Sequence, residues 1–216
     1  MREAWLELPP PGSHPQAVSL IFPLMSTFDL IIAILIPALW IPWLVYWWLS
    51  ARNVKPTRSR EPLAAELRHR APLMLAVLLL AAPRWVPRVL TRRLLPVGWF
   101  FPLLGVILLA TGLGFTVWAR RHLGRNWSAS VVVKEGHALV RTGPYRYVRH
   151  PIYSGILLAF LGMVLTVGEW RGLVALLLVG VAFTVKSRAE EGWMRETFPE
   201  YAEYARGTAA IVPYVY

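Results

Sequence analysis

Long apolar runs govern what this sequence can become. The stretch from about Phe28 to Leu49, FDLIIAILIPALWIPWLVYWWL, carries one charged residue, Asp29, at its very start. About twenty apolar residues in a row match the roughly 30 Å hydrocarbon core of a bilayer. A second long run extends from about Pro96 to Ala119, and shorter ones from Ala71 to Ala82, Pro151 to Val167 and Gly172 to Val185. In lipid every backbone polar group must find its partner inside the protein, which leaves helices or closed barrels. Unbroken apolar runs, with no period-two alternation, specify helices. The expected fold is therefore an all-α integral membrane protein with about five transmembrane helices. Composition agrees: 56% of residues are hydrophobic, 16% are charged and mean hydropathy is +0.46. Soluble domains carry about 25% charged residues. Cysteine is absent, which excludes disulfides, a thiolate nucleophile and cysteine metal sites.

The net charge of +11 is organised by loop. Arg52, Lys55, Arg58, Arg60, Arg68 and Arg70 lie between the first and second runs. Arg120, Arg121, Arg125, Lys134, Arg141, Arg146 and Arg149 lie between the third and fourth, and Lys186, Arg188, Arg195 and Arg206 follow the fifth. The intervening segments hold Arg2, then Arg84, Arg88, Arg92 and Arg93, then Arg171 alone. Five crossings with the N-terminus outside and the C-terminus cytoplasmic place the richer loops inside, as the positive-inside rule requires. The charge is thus a topology signal, and nucleic-acid binding is not expected. The segment before Phe28 lacks the basic start of a signal peptide, with Glu3 and Glu7 in its place.

On this topology the loop RRHLGRNWSASVVVKEGHALVRTGPYRYVRHPIYSG and the tail KSRAEEGWMRETFPEYAEYARG share the cytoplasmic face. Residues 131–133 read as a short strand, and Thr142-Gly143-Pro144 as a turn. His150-Pro151 opens the fourth helix, proline being well tolerated at the first helical position. Free N–H groups there, beside Arg146, Arg149 and His150, suit an anion. Those arginines and tyrosines are equally the marks of a helix end at an interface, and a histidine before proline is also a simple cap. Glu190 and Glu191 sit near the C-terminal end of the fifth helix, where carboxylates oppose the macrodipole. Pairing with Lys186, Arg188 or Arg195 at helical spacing accounts for them as well as a polar ligand does. Trp193, Phe198, Tyr201 and Tyr204 form an aromatic stripe suited to an interfacial amphipathic tail.

LGRNWS, then HALVRTGPYRYVRHPIYSG, an apolar helix, EEGWMRETFPEYAEYARG and the closing IVPY together resemble the isoprenylcysteine carboxyl methyltransferase family. That family is related to the membrane phospholipid N-methyltransferases. The likeness covers about Pro96 to Tyr216, dividing the chain into residues 1–95, with two helices matched only in being hydrophobic, and a methyltransferase-like core of residues 96–216. What the resemblance implies is an enzyme using S-adenosyl-L-methionine in a cytosol-facing pocket built from the motif loop and the tail. A lipophilic or amphiphilic acceptor would enter from the bilayer. By position, cofactor contacts fall on His137, Ala138, Leu139, Val140, Tyr145, His150, Pro151, Tyr153 and Glu190. Arg149 is a candidate for the methionyl carboxylate, Tyr145 and Tyr147 for the adenine. Lys186, with Arg188 nearby, falls where the acceptor is handled; His150 and Tyr153 would assist an acceptor that must lose a proton.

Carboxyl O-methylation of an isoprenylcysteine-like acceptor leads this reading. N-methylation of a phospholipid and S-methylation of a small thiol stay open. Membrane sterol-type reductases using NADPH share part of the C-terminal pattern but are longer, and a non-enzymatic membrane scaffold is the plain alternative. A transporter would place ionisable groups near the bilayer midplane, where these runs have almost none. No GxGxxG follows a strand, so a soluble Rossmann-type enzyme is unsupported. No metal is expected, since the five histidines are scattered without i, i+4 ligand spacing.

Overall fold

A computed structural model describes residues 27–52, 57–60, 62–127, 132–134 and 139–213. Among these described residues, five long helices and one short one carry the fold: α1 (Thr27–Ser50), α2 (Leu63–Ala81), α3 (Phe100–Leu123), α4 (Pro151–Val167), α5 (Trp170–Thr197) and α6 (Tyr201–Arg206). Two short strands, β1 (Thr57–Arg60) and β2 (Val132–Lys134), pair antiparallel. By length and composition α1, α3 with its 3-10 extension to Asn126, and α5 are able to cross a membrane. α2 has 19 residues with a charged first half, and α4 has 17.

α3 and α4 form the centre through glycine. Gly105 and Gly112 of α3 meet Gly162 and Gly155 of α4. A Cβ on Gly112 would sit 2.5 Å from the Gly155 carbonyl oxygen, and one on Gly105 would sit 2.5 Å from that of Gly162. Lipid removes the hydrophobic drive between helices, so close backbone approach through small residues takes over. α1 docks on α3, and α2 on α5.

Buried arginines tie the helix ends. Arg120 donates from Nη2 to the Ser50 carbonyl at 2.6 Å and from Nη1 to that of Gly124 at 2.6 Å. It thereby joins the C-termini of α1 and α3, where a cation complements the helix dipole. At the opposite end Arg171 donates to the carbonyls of Leu79 at 3.1 Å and Leu80 at 3.0 Å, ending α2, while Glu169 accepts from its Nε at 2.6 Å. The Leu94 N–H donates to the Gly168 carbonyl at 2.7 Å, so the Arg84–Arg93 loop lies with the α4–α5 turn. α1 and α3 thus end on one side of the bundle, and α2 and α4 on the other.

Two helices outrun their apolar stretches. α2 begins at Leu63, eight residues before Ala71, because Glu66 pairs with Arg70 one turn on and Glu66 and His69 are buried. α5 continues past Val185 to Thr197 and carries Lys186, Glu190 and Glu191 on an unbroken helix. The expected amphipathic tail is divided: Trp193 ends on α5, while Tyr201 and Tyr204 sit on α6. Tyr201 is 2% exposed, so this segment packs into the protein rather than lying on a bilayer surface. After α6 the chain runs beside Val148–His150, the Arg149 and His150 N–H groups donating to the Ala209 and Ala210 carbonyls at 2.9 Å each.

Candidate active site

Pro151 fixes the first turn of α4, and the His150 carbonyl accepts from the N–H groups of Tyr153 at 3.0 Å and Ser154 at 3.1 Å. That cap orients two side chains one turn apart. The His150 ring stacks on Tyr153 with centroids 5.2 Å apart, and Tyr153 stacks on Phe183 of α5 at 4.5 Å. Phe183, Lys186 and Glu190 share one face of α5 by their i, i+3 and i+4 spacing.

The polar groups interlock. Tyr153 donates its hydroxyl to Glu190 Oε1 at 2.7 Å. His150 lies between two carboxylates, with Nδ1 3.4 Å from Glu190 Oε2 and Nε2 3.3 Å from Glu191 Oε1. Lys186 Nζ is 4.0 Å from Glu190 Oε1 and lies 5.6 Å from the centre of the Tyr153 ring. Burial opposes charge on His150, but hydrogen bonds to Glu190 and Glu191 outweigh it and hold its pKa above the ordinary imidazole value. Burial pushes the phenol of Tyr145 far up, and that of Tyr204 up to about 12, so both are protonated at neutral pH. Tyr204 donates to the Tyr145 carbonyl at 2.5 Å, fixing α6 against the GPY turn. Gly143 opens that turn with φ +59°, a conformation suited to glycine, and a Cβ there would press into the His122 ring at 2.6 Å.

These groups close one end of a cavity of about 710 Å³, within the usual range for small-molecule sites. Its other walls are apolar: Trp40, Trp43 and Trp47 from α1, Val77 and Leu80 from α2, Ile156 and Phe160 from α4. Trp43 stacks on Trp47 at 4.7 Å and donates its indole N–H to Thr116 Oγ1 at 2.6 Å, which sets the α1 wall. The cavity therefore takes walls from both sides of residue 95.

Leu139, Val140, Tyr145, Arg149, His150, Pro151, Tyr153, Lys186 and Glu190 all line it. His137 and Ala138 lie outside the described residues. Arg188 does not reach the cavity. Two residues on from Lys186 is about 200° around the helix, and Arg188 lines a separate groove on the outer side of α5. Arg149 touches the cavity, but its guanidinium serves the protein. Nε donates to Glu191 Oε1 at 2.8 Å and Nη1 to the carbonyls of Ala205, at 2.9 Å, and Thr208. The first-turn N–H groups of Tyr153 and Ser154 are likewise used by the His150 carbonyl. Tyr147 is 61% exposed and is not part of the cavity wall. The sequence did not single out Trp40, Trp43 and Trp47 of α1, or Asn126 and Trp127 of LGRNWS, as cavity residues, although all five line it.

A family model described as phospholipid methyltransferase matches residues 100–201. Over 121 residues the chain is 30% identical to a probable protein-S-isoprenylcysteine O-methyltransferase of Oryza sativa subsp. indica, covering 54% of this chain and 63% of that one. Over the same length it is 29% identical to protein-S-isoprenylcysteine O-methyltransferase A of Arabidopsis thaliana, covering 54% and 61%. This core is isoprenylcysteine methyltransferase-like and related to the phospholipid methyltransferases. It is also 36% identical over 94 residues to the cobalt-zinc-cadmium resistance protein CzcN of Cupriavidus metallidurans, covering 42% of this chain and 43% of that one. The matched stretch thus spans about half the length of these relatives. The methyltransferase-like core contains α3, α4, α5 and the site residues from Leu139 to Glu190, whereas the tryptophan wall of α1 lies outside it.

Proposed function

We propose that this chain is an integral membrane methyltransferase that uses S-adenosyl-L-methionine and methylates the carboxylate of a lipophilic, isoprenylcysteine-like acceptor. The reading is carried by one observation: a single cavity joins the polar nest of His150, Tyr153 and Glu190 to the apolar walls of α1 and α2. A charged, hydroxyl-rich cofactor and a greasy acceptor need that pairing of surfaces in one space.

The residues fit the cofactor. Glu190 offers about four acceptor positions, and the Tyr153 oxygen, which donates its proton to Glu190, can still accept from a ribose hydroxyl. Leu139, Val140 and Tyr145 offer an apolar and aromatic side for adenine. When bound, the cofactor supplies a methyl carbon already activated by its sulfonium. The task left to the protein is to align the acceptor and exclude water. Lys186, on the wall beside Glu190, provides a point charge for the acceptor carboxylate, without the fork an arginine would give. A carboxylate needs no general base, which agrees with a His150 held by two glutamates rather than left open to take a proton. The basic loops favour a cytoplasmic position for this end of the bundle, with the N-terminus outside.

The phospholipid methyltransferase match supports N-methylation of an aminophospholipid as a second reading. A protonated amine would meet Lys186 as a like charge, which favours the carboxylate. Purified protein, methyl-labelled donor and either N-acetyl-S-farnesylcysteine or phosphatidylethanolamine separate the two. Base-labile label on the farnesylcysteine derivative is expected. Base-stable label on the phospholipid alone would move the assignment to the amine.

A further inference from the structure

We propose that the outer groove between α4 and α5 is a binding site for a phospholipid with an anionic headgroup, separate from the active-site cavity. The groove has a volume of about 550 Å³ and is lined by Leu157 of α4 and by Leu176, Val181, Thr184 and Arg188 of α5. Its floor is Gly180, where an added Cβ would meet nothing within 4 Å. Leu176 to Arg188 is twelve residues, about 18 Å along a helix. That length matches the roughly 15 Å of one leaflet's hydrocarbon, half of a ~30 Å core. An acyl chain lying along the groove would therefore place its headgroup at Arg188.

Arg188 carries the choice of headgroup. It is exposed and makes no ion pair among the described residues, although Lys186, Arg195 and Arg149 nearby all have carboxylate partners. A long side chain at the end of an apolar furrow reaches to the interface with its stem buried. A basic residue at a membrane surface attracts anionic lipid by about 1 kcal/mol, close to fivefold in affinity. The opposite phase of Lys186 and Glu190, which face the cavity, keeps this lipid apart from the acceptor.

Full-length protein in neutral detergent is titrated with phosphatidylglycerol or phosphatidylcholine, with retained lipid counted by native mass spectrometry and thermal stability read in parallel. Wild type should hold one phosphatidylglycerol in preference to phosphatidylcholine and gain stability from it. Arg188→Gln should weaken phosphatidylglycerol about fivefold and erase the preference, while Gly180→Leu, whose Cβ would meet nothing within 4 Å, should fill the groove and block both lipids. Should Gly180→Leu fail to fold, the loss of preference in Arg188→Gln decides alone. Equal lipid retention and stabilisation in wild type and Arg188→Gln would overturn the site. A concentration-dependent dimer that Gly180→Leu dissolves would instead make the groove a contact between two copies.

Discussion

The adjacent glutamates of α5 should separate sharply when mutated. Glu191 is the partner of a buried cation: Arg149 and Glu191 side chains are 9% and 11% exposed, with Nε 2.8 Å from Oε1. Glu191→Ala removes that carboxylate and leaves Arg149 with the Ala205 and Thr208 carbonyls alone, while His150 loses one of two partners. Breaking a buried pair from one side costs about 3–5 kcal/mol. The two carbonyls still satisfy part of the guanidinium, so the lower end, about 3 kcal/mol, is expected. For a domain near 200 residues, each kcal/mol moves Tm by about 2–4 °C, which gives a drop of about 6–12 °C. Glu190→Gln keeps an acceptor for Tyr153 and should move Tm by less than a third of that. Tryptophan fluorescence melts of the two variants in one detergent provide the comparison. A Glu191→Ala protein that melts with wild type would refute the claim that this pair fastens the tail to α4.

The glycine seam makes a second prediction. Gly155→Val brings a Cβ to 2.7 Å from the Gly112 carbonyl oxygen and 2.6 Å from Thr116 Cγ2, so overpacking of about 1–3 kcal/mol should lower thermal stability; an unchanged melt would mean α3 and α4 are not packed this closely. His150 gives a pH dependence. Its folded pKa lies above the ordinary 6.5, so the stability it contributes is fully present below about pH 6.5 and is lost as pH rises through the folded value. Unfolding followed from pH 6 upward should show wild type losing stability across that window and His150→Gln losing less. Parallel slopes would place the ring's proton elsewhere.

α4 was legible at both ends, because Pro151 opens it and Gly168, at φ +64°, closes it. The far end of α5 was not. A hydropathy run ends where a helix leaves the bilayer, but helical hydrogen bonds continue into Lys186–Thr197. The same effect hid the start of α2. Within the site, the family resemblance brought His150 and Tyr153 of the motif together with Lys186 and Glu190 of the tail, whereas helical spacing alone accounts for only the Lys186–Glu190 pair. Partner choice was less visible. Glu191 does pair with Arg195 one turn on, but its shortest contact is to Arg149, 42 residues away, which no local pattern reports. Trp43 and Trp47, clustered with Tyr46 and Trp48 near the end of the first apolar run, read as an interfacial belt because composition does not distinguish a ring facing lipid from one facing a cavity. Arg188 looked like site chemistry by proximity in sequence, where helical phase turns it outward.

The central claim is that the nest of His150, Tyr153 and Glu190 holds S-adenosyl-L-methionine. Calorimetric titration of that cofactor and of its demethylated product into purified wild type and Glu190→Ala tests it most directly, with NADPH as a control. Saturable binding of both to wild type, lost in a Glu190→Ala protein that still melts cooperatively, is the predicted result. Binding of NADPH in their place, or of none of the three to folded wild type, would contradict the account.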